Sequence, residues 1–217
     1  MSILSEFESR LSAGLHTKFL NLSTPIRIQV YLDSMPYIAE ERDRSPLNVM
    51  LDNQSHCLDG GLFAALALWR IGFPPLLLDL IPEPGADDDH VLALYRVEGR
   101  WGAVAKSNYV NLGFREPVHK NLRELAMTYF EHFVNVAQQK TLRGYSRPFN
   151  ASRYEHLHWA VNETGTNQLY KIFYARKYTS LITPKMIACL NHVTDRVYKA
   201  ETLYTDLGWS FGNRPNK

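Results

Sequence analysis

Apolar residues recur at Ile28, Tyr31, Leu32 and Met35, the i, i+3, i+4, i+7 spacing of a helix with one buried stripe. Thr24 and Pro25 stand just before them as N-cap and first helical residue, and Pro36 ends the run. The charged "EERDRSP" that follows reads as a loop. From Cys57 to Arg70 length and composition predict a second helix, stopped by Gly72 and Pro74-Pro75. One side carries Leu58, Leu62, Leu66 and Trp69, the other Cys57, Gly60, Gly61, Ala64 and Leu68. A helix apolar on nearly all sides is a buried one. "LLLDLI" (76–81), bounded by prolines and apolar on both faces, reads as a buried strand. "PEPGADDD" is a loop, and Glu98-Gly99 is a two-residue turn between the strands "HVLALYRV" and "RWGAVAKS".

Beyond residue 118 the pattern predicts more helix. "KNLRELAMTYFEHFVNV" carries a capping arrangement at Asn121 and Glu124, and Leu122, Leu125, Tyr129 and Phe133 form one stripe. Residues 140–180 are rich in aromatics with mixed periodicity, which leaves their structure open. Thr183-Pro184 opens a long helix through Met186, Ile187, Leu190, Val193 and Val197, with Cys189 inside it as a small core residue. The expected class is α+β, a buried Cys-led helix on a small antiparallel sheet with flanking helices. Residues 1–50 form an N-terminal helical segment, 51–118 the core, and 119–217 a helical or mixed extension packed on it.

Composition narrows the function classes. A net charge of +2 with no Lys/Arg block gives no footprint for nucleic acid. The longest apolar stretch, Gly61 to Leu68, is far short of a membrane span. Two cysteines are too few for a disulfide scaffold, and the N-terminal residues lack a signal-peptide core. These features point to a cytoplasmic protein with free thiols and no cofactor.

The chemistry centres on Cys57. A thiol at a helix start meets the positive end of the helix dipole, which favours the thiolate. Asp59 opposes this, so a base is required. Two glycines in a first helical turn are unfavourable by about 1 kcal/mol each against alanine, which points to close approach of another backbone or a substrate. His90, at the mouth of a buried strand after Asp87, Asp88 and Asp89, is the candidate base.

The stretches "HCLDGGLFAALALWRIGFPPLLLDL" and "DDDHVLALYRVEGRWGAVAKSN" resemble the transglutaminase-like superfamily, within the broader papain-like cysteine fold. The resemblance covers about a quarter of the chain and implies a nucleophilic Cys57, a basic His90 and an acid on the next strand. The acid's position, four residues after Trp101, is Ala105. A two-residue turn pairs Val97 with Arg100 and sets Ser107 opposite His90, where a hydroxyl can orient the ring. Asn108 faces away unless a bulge turns it inward. Gln54 and Asn53 are candidate oxyanion donors and Ser55 a candidate N-cap, while His56, adjacent to Cys57, points elsewhere.

The leading expectation is therefore thiol-dependent acyl transfer or amide hydrolysis on a peptide or protein substrate, catalysed by Cys57 and His90 with Ser107 or Asn108. The alternative is a non-catalytic relative that binds a peptide or protein partner in the same cleft. A metal held by Cys57, His90 and the aspartates lacks close motif spacing and is set aside, so no metal is expected.

Overall fold

A computed structural model describes residues 2–213. Three short helices come first: α1 (Ile3–Ser9), α2 (Ala13–Leu20) and α3 (Pro25–Asp33). α3 begins as the Thr24-Pro25 signal predicts, the Thr24 hydroxyl accepting the Arg27 N–H. α4 (Pro46–Asp52) follows the charged loop and leads to α5 (Cys57–Arg70). Then come β1 (Leu76–Pro82), β2 (His90–Val97) and β3 (Arg100–Val104). The turn between β2 and β3 places Glu98 and Gly99 both at positive φ (46° and 78°), and Val97 pairs with Arg100 as expected.

The remaining elements are β4 (Arg115–His119), α6 (Leu122–Met127), β5 (Leu142–Ser146), β6 (Phe149–Asn150), α7 (Glu163–Tyr174), β7 (Tyr178–Ser180), α8 (Pro184–Ile187) and α9 (Asp195–Glu201). The seven strands form one antiparallel sheet, ordered β4-β3-β2-β1-β5-β7, with β6 also on β1. The chain is thus α+β, with the Cys-led helix packed on an antiparallel sheet. That sheet is larger than the three strands legible in the sequence, because β5 and β6 come from the ambiguous segment and pair directly with β1.

Alternation along the strands divides the core in two. Leu77, Val91, Ala93, Tyr95 and Val104 face α5 and the N-terminal helices. Leu78, Leu80, Leu92, Leu94 and Ala103 face the opposite side, covered by Leu125, Tyr129, Phe133 and the chain around Leu181 and Ile182.

Two helices are shorter than their periodicity suggests. α6 stops at Met127, and Phe130–His132 form a single 3-10 turn. The Asn121 cap is present, its carbonyl oxygen accepting the Glu124 N–H at 2.9 Å, while the Glu124 carboxylate reaches back to the Lys120 N–H. The long C-terminal helix is in fact two, because Thr194 caps a new start by accepting the Val197 N–H. Cys189 falls in the gap and is exposed, not core.

Gly60 and Gly61 set how closely α5 lies on the sheet. A Cβ on Gly60 would come within 2.3 Å of the Lys106 Cβ, and one on Gly61 within 2.9 Å of Val91 Cγ1. The glycines make room for the sheet and its continuation beyond β3. Gly60→Ala should therefore destabilise the fold by about 1–3 kcal/mol in urea unfolding, even though alanine is the better helix former. A variant as stable as the parent would refute this contact.

Candidate functional site at the head of α5

Cys57 is the first residue of α5, and the helix is capped by His56, not by Ser55. His56 Nδ1 accepts the Leu58 N–H at 3.3 Å. Ser55 instead joins the Tyr37 segment, its carbonyl accepting the Ile38 N–H at 3.2 Å.

The Cys57 sulfur lies against the edge of β2. Its S–H donates to the Asp89 carbonyl at 3.7 Å, and it accepts from the Val91 N–H and the Tyr37 hydroxyl. These backbone groups flank His90, so the sulfur sits beside the main chain of that residue. The edge is open there because pairing between β2 and β3 ends at Ala93 and Val104. Beyond it, the Gln29 side chain holds both the N–H and the C=O of Ala105, at 3.0 and 2.8 Å.

His90 is buried, and its ring leaves β2 on the face away from α5, near Tyr129 and Phe133. Its Nε2 lies 2.7 Å from the Leu112 carbonyl. A carbonyl only accepts, so Nε2 carries the proton and Nδ1 the lone pair. No hydrogen bond joins the Cys57 sulfur to the His90 ring among the described residues.

Ser107 and Asn108 do not orient the ring. The Ser107 hydroxyl accepts the Tyr109 N–H at 2.9 Å in a local turn. The Asn108 amide donates to the Asp206 carbonyl at 2.8 Å and accepts the Asp206 N–H, which fastens the C-terminal segment. Both line a small cavity with His90, but the strand pairing that would set Ser107 opposite it has already ended. The Leu112 carbonyl holds the place expected of the acid, and a main-chain acceptor leaves no trace in sequence.

Cys57 opens into a cavity of about 230 Å³ whose lining includes Tyr37, Asp43, His56, Asp88, Asp89 and Tyr174. Neither Asn53 nor Gln54 lines it; Asn53 ends α4 in the left-handed region at φ 51°. Burial, followed by Asp89 and Asp88, pushes the Cys57 thiol well above its ordinary value, against the two donors that favour thiolate. Burial likewise pulls His90 down to about 4, so at rest the thiol and the imidazole are both neutral.

Asp59, which threatened the thiolate in sequence, is turned away from the sulfur. Its Oδ1 accepts the Arg44 N–H at 2.8 Å, and its Oδ2 lies 3.8 Å from the buried Arg44 guanidinium. Arg44 also binds Asp52 and Glu40. Donor atoms of Asp43, His56 and Asp59 fall within 4.8 Å of one another, a spacing open to a metal. The residues do not fit one. Nδ1 of His56 already accepts the Leu58 N–H, which leaves the proton on Nε2 and no lone pair facing the carboxylates. The Arg44 guanidinium already stands 3.8 Å from Asp59 Oδ2, and burial, outweighing Arg44, raises the Asp59 carboxyl well above its ordinary range, which disfavours it as an anionic ligand.

Sequence reasoning missed Tyr37, Tyr174, Arg44 and Asp79. Only Asp79 carried a signal, as a carboxylate within a strand apolar on both faces.

No protein-family model matches the chain, and no curated protein does either. Among solved structures it is similar to LapG of Legionella pneumophila. One structure is 11% identical over 52% of this chain and 73% of that one, with a TM-score of 0.38. The EGTA-treated form is 10% identical over 69% and 80%, with a TM-score of 0.42. The calcium-bound form is 9% identical over 80% and 99%, again at 0.42. The likeness is coarse and lies in the fold.

Because His90 binds fewer protons folded than unfolded between its ordinary 6.5 and about 4, stability should rise with pH across that window and be lost on acidification. In NMR the His90 ring should titrate near 4 and keep its Nε2 proton above that. His90→Phe should flatten this part of the stability curve. A ring titrating near 6.5 would contradict the buried, carbonyl-held imidazole.

Proposed function

We propose that the chain is an enzyme of the transglutaminase-like type, performing thiol-dependent acyl transfer or amide hydrolysis on a peptide or protein substrate. Cys57 is the nucleophile and His90 its base. One observation carries this reading. The Leu112 carbonyl fixes the His90 tautomer with its lone pair on Nδ1, while the Cys57 sulfur lies beside the His90 main chain and opens into a cavity.

Both groups rest neutral, so the proton moves as the carbonyl is attacked rather than beforehand. The His90 ring turns from the far face of β2 toward the sulfur, the S–C bond forms as the thiol proton passes to Nδ1, and the oxyanion is met by N–H groups at the head of α5. The leaving nitrogen departs with a proton, and water or an amine resolves the acyl-enzyme.

A second reading is favoured by the charge of the cavity. Burial, then Asp89 and Asp88, hold the thiol protonated, and Glu40, Glu41 and Asp43 add to the acidic lining. A domain that docks a peptide or protein partner needs no thiolate there.

Acylation distinguishes the two. A p-nitrophenyl ester should leave its acyl group on Cys57 and not on Cys189, as read by peptide mass spectrometry. His90→Ala should slow that step by roughly 10²–10⁴-fold. If Cys57 stays unmodified, or if His90→Ala acylates at the parent rate, the enzyme reading fails and the docking domain remains.

A further inference from the structure

Behind Cys57 lies a second carboxyl besides Asp89. Asp79 stands on β1 opposite Val91 of β2, on the face that α5 covers. Asp89 precedes β2 two residues before Val91, and the side chains of Asp79 and Asp89 are hydrogen-bonded to each other. A hydrogen bond between two carboxyl groups requires a proton on one of them. The Tyr174 hydroxyl donates to Asp89 Oδ2 at 2.8 Å, which marks Asp89 as the ionised partner and Asp79 as the acid. Asp79 is buried, and its Oδ1 has no hydrogen-bond partner among the described residues. A bare oxygen in that position is tolerable on a neutral carboxylic acid and very costly on a carboxylate. Burial and the Asp89 charge hold Asp79 well above the usual carboxylate range, in agreement with the geometry.

We propose that Asp79 and Asp89 share a single proton and supply it to the leaving group at Cys57. Asp89 is the catalytic residue facing the cavity, and Asp79 is the positioning residue behind it. The proposal rests on the thiol-enzyme reading. His90, held near 4, is a weak store for a proton and releases it readily. When sulfur attacks, the S–H proton passes to Nδ1 of the His90 ring, once that ring has turned from the far face of β2 to the cavity side. When the C–N bond breaks, the shared proton passes through Asp89 to the leaving nitrogen. The imidazolium then returns its proton to the pair. One S–H and one C–N bond are lost, one S–C and one N–H bond are gained, and the pair again holds one proton.

The groups that face the pair are Cys57 from α5, Tyr174 from α7, Asp43 from the loop before α4, and Asp88 on its own segment. Among these Asp43, Asp88 and Cys57 ionise to negative charge and oppose loss of the shared proton.

Asp79→Asn tests the pair, since an amide hydrogen-bonds Asp89 but holds no acidic proton. Hydrolysis of a peptide p-nitroanilide, whose nitrogen leaves protonated, should fall by tenfold or more. The matching p-nitrophenyl ester, whose phenolate needs no proton, should change little. Alkylation of Cys57 by iodoacetamide at about pH 9 should become about tenfold faster, since the parent pair there carries one charge more. A merely structural role would slow the anilide and the ester alike and would not speed alkylation, and that pattern overturns the proposal. A carboxylic-acid infrared band present at neutral pH in the parent should lose the intensity of one carboxyl in Asp79→Asn, the buried Asp59 keeping its own share. A band unchanged by Asp79→Asn also overturns the proposal. Should Asp79→Asn not fold, Asp89→Asn carries the alkylation test, since it too removes one negative charge beside the sulfur. If the parent and Cys57→Ala cleave both substrates equally, the thiol-enzyme reading falls and takes the catalytic role of the pair with it. The infrared and alkylation results then show separately whether the shared proton exists.

Discussion

The close seating of α5 on the sheet is the constraint on which the rest of the site depends. Gly60 meets the Lys106 stem and Gly61 meets Val91, with space for no side chain at either contact. One turn earlier on the same helix, that seating brings the Cys57 sulfur against the edge of β2. A strand edge is a row of unsatisfied donors and acceptors, and here the sulfur takes the Asp89 carbonyl and the Val91 N–H after β3 has stopped pairing. The chain beyond β3 is held by other partners. Gln29 binds both backbone groups of Ala105, and the buried Lys106 ammonium donates to the carbonyls of Leu32 and Met35 near the end of α3. The N-terminal helices thus secure the gap into which the thiol fits.

Charge near the thiol is arranged in two compartments. Arg44, almost wholly buried, gathers Glu40, Asp52 and Asp59 to one side of the α5 head. Burying an unpaired ion would cost several kcal/mol, so these carboxylates and the guanidinium are placed together. On the other side the Tyr174 hydroxyl donates to Asp89, and burial together with the Asp89 charge keeps Asp79 protonated. The first arrangement removes Asp59 from the sulfur. The second keeps negative charge beside it, which adds to burial in keeping the resting thiol neutral.

Where one local signal decided the outcome, the sequence was legible. The helix from Cys57, the Glu98-Gly99 turn and the Thr24-Pro25 cap follow from short-range chemistry and stand where the pattern put them. The C-terminal helix did not, because the apolar spacing through Leu190 and Val193 continues across a break that Thr194 imposes by capping. β5 and β6 were hidden for another reason: their partner β1 lies more than sixty residues earlier, and nothing local records that pairing. At the site, Cys57 and His90 were visible as residue types. What lies around them was not, since the Leu112 carbonyl, the Val91 N–H and the Asp89 carbonyl are main-chain groups that any sequence could supply.

Ala105 in the acid's place therefore has a structural meaning. A carboxylate there would hold the His90 tautomer and also stabilise an imidazolium. The Leu112 carbonyl performs only the first task, and burial works against the second. In the proposed mechanism, His90 accepts a proton in passing and does not keep it. The negative charge missing from the β3 side of the ring is found on the α5 side of the sheet, in Asp89 and its partner Asp79, where it acts on the sulfur. Moving the carboxyl from one face to the other exchanges a preformed thiolate–imidazolium pair for a neutral site. A neutral, buried thiol is a poor nucleophile at rest, and on the proposed reading it becomes reactive only when a substrate fills the cavity and the proton moves.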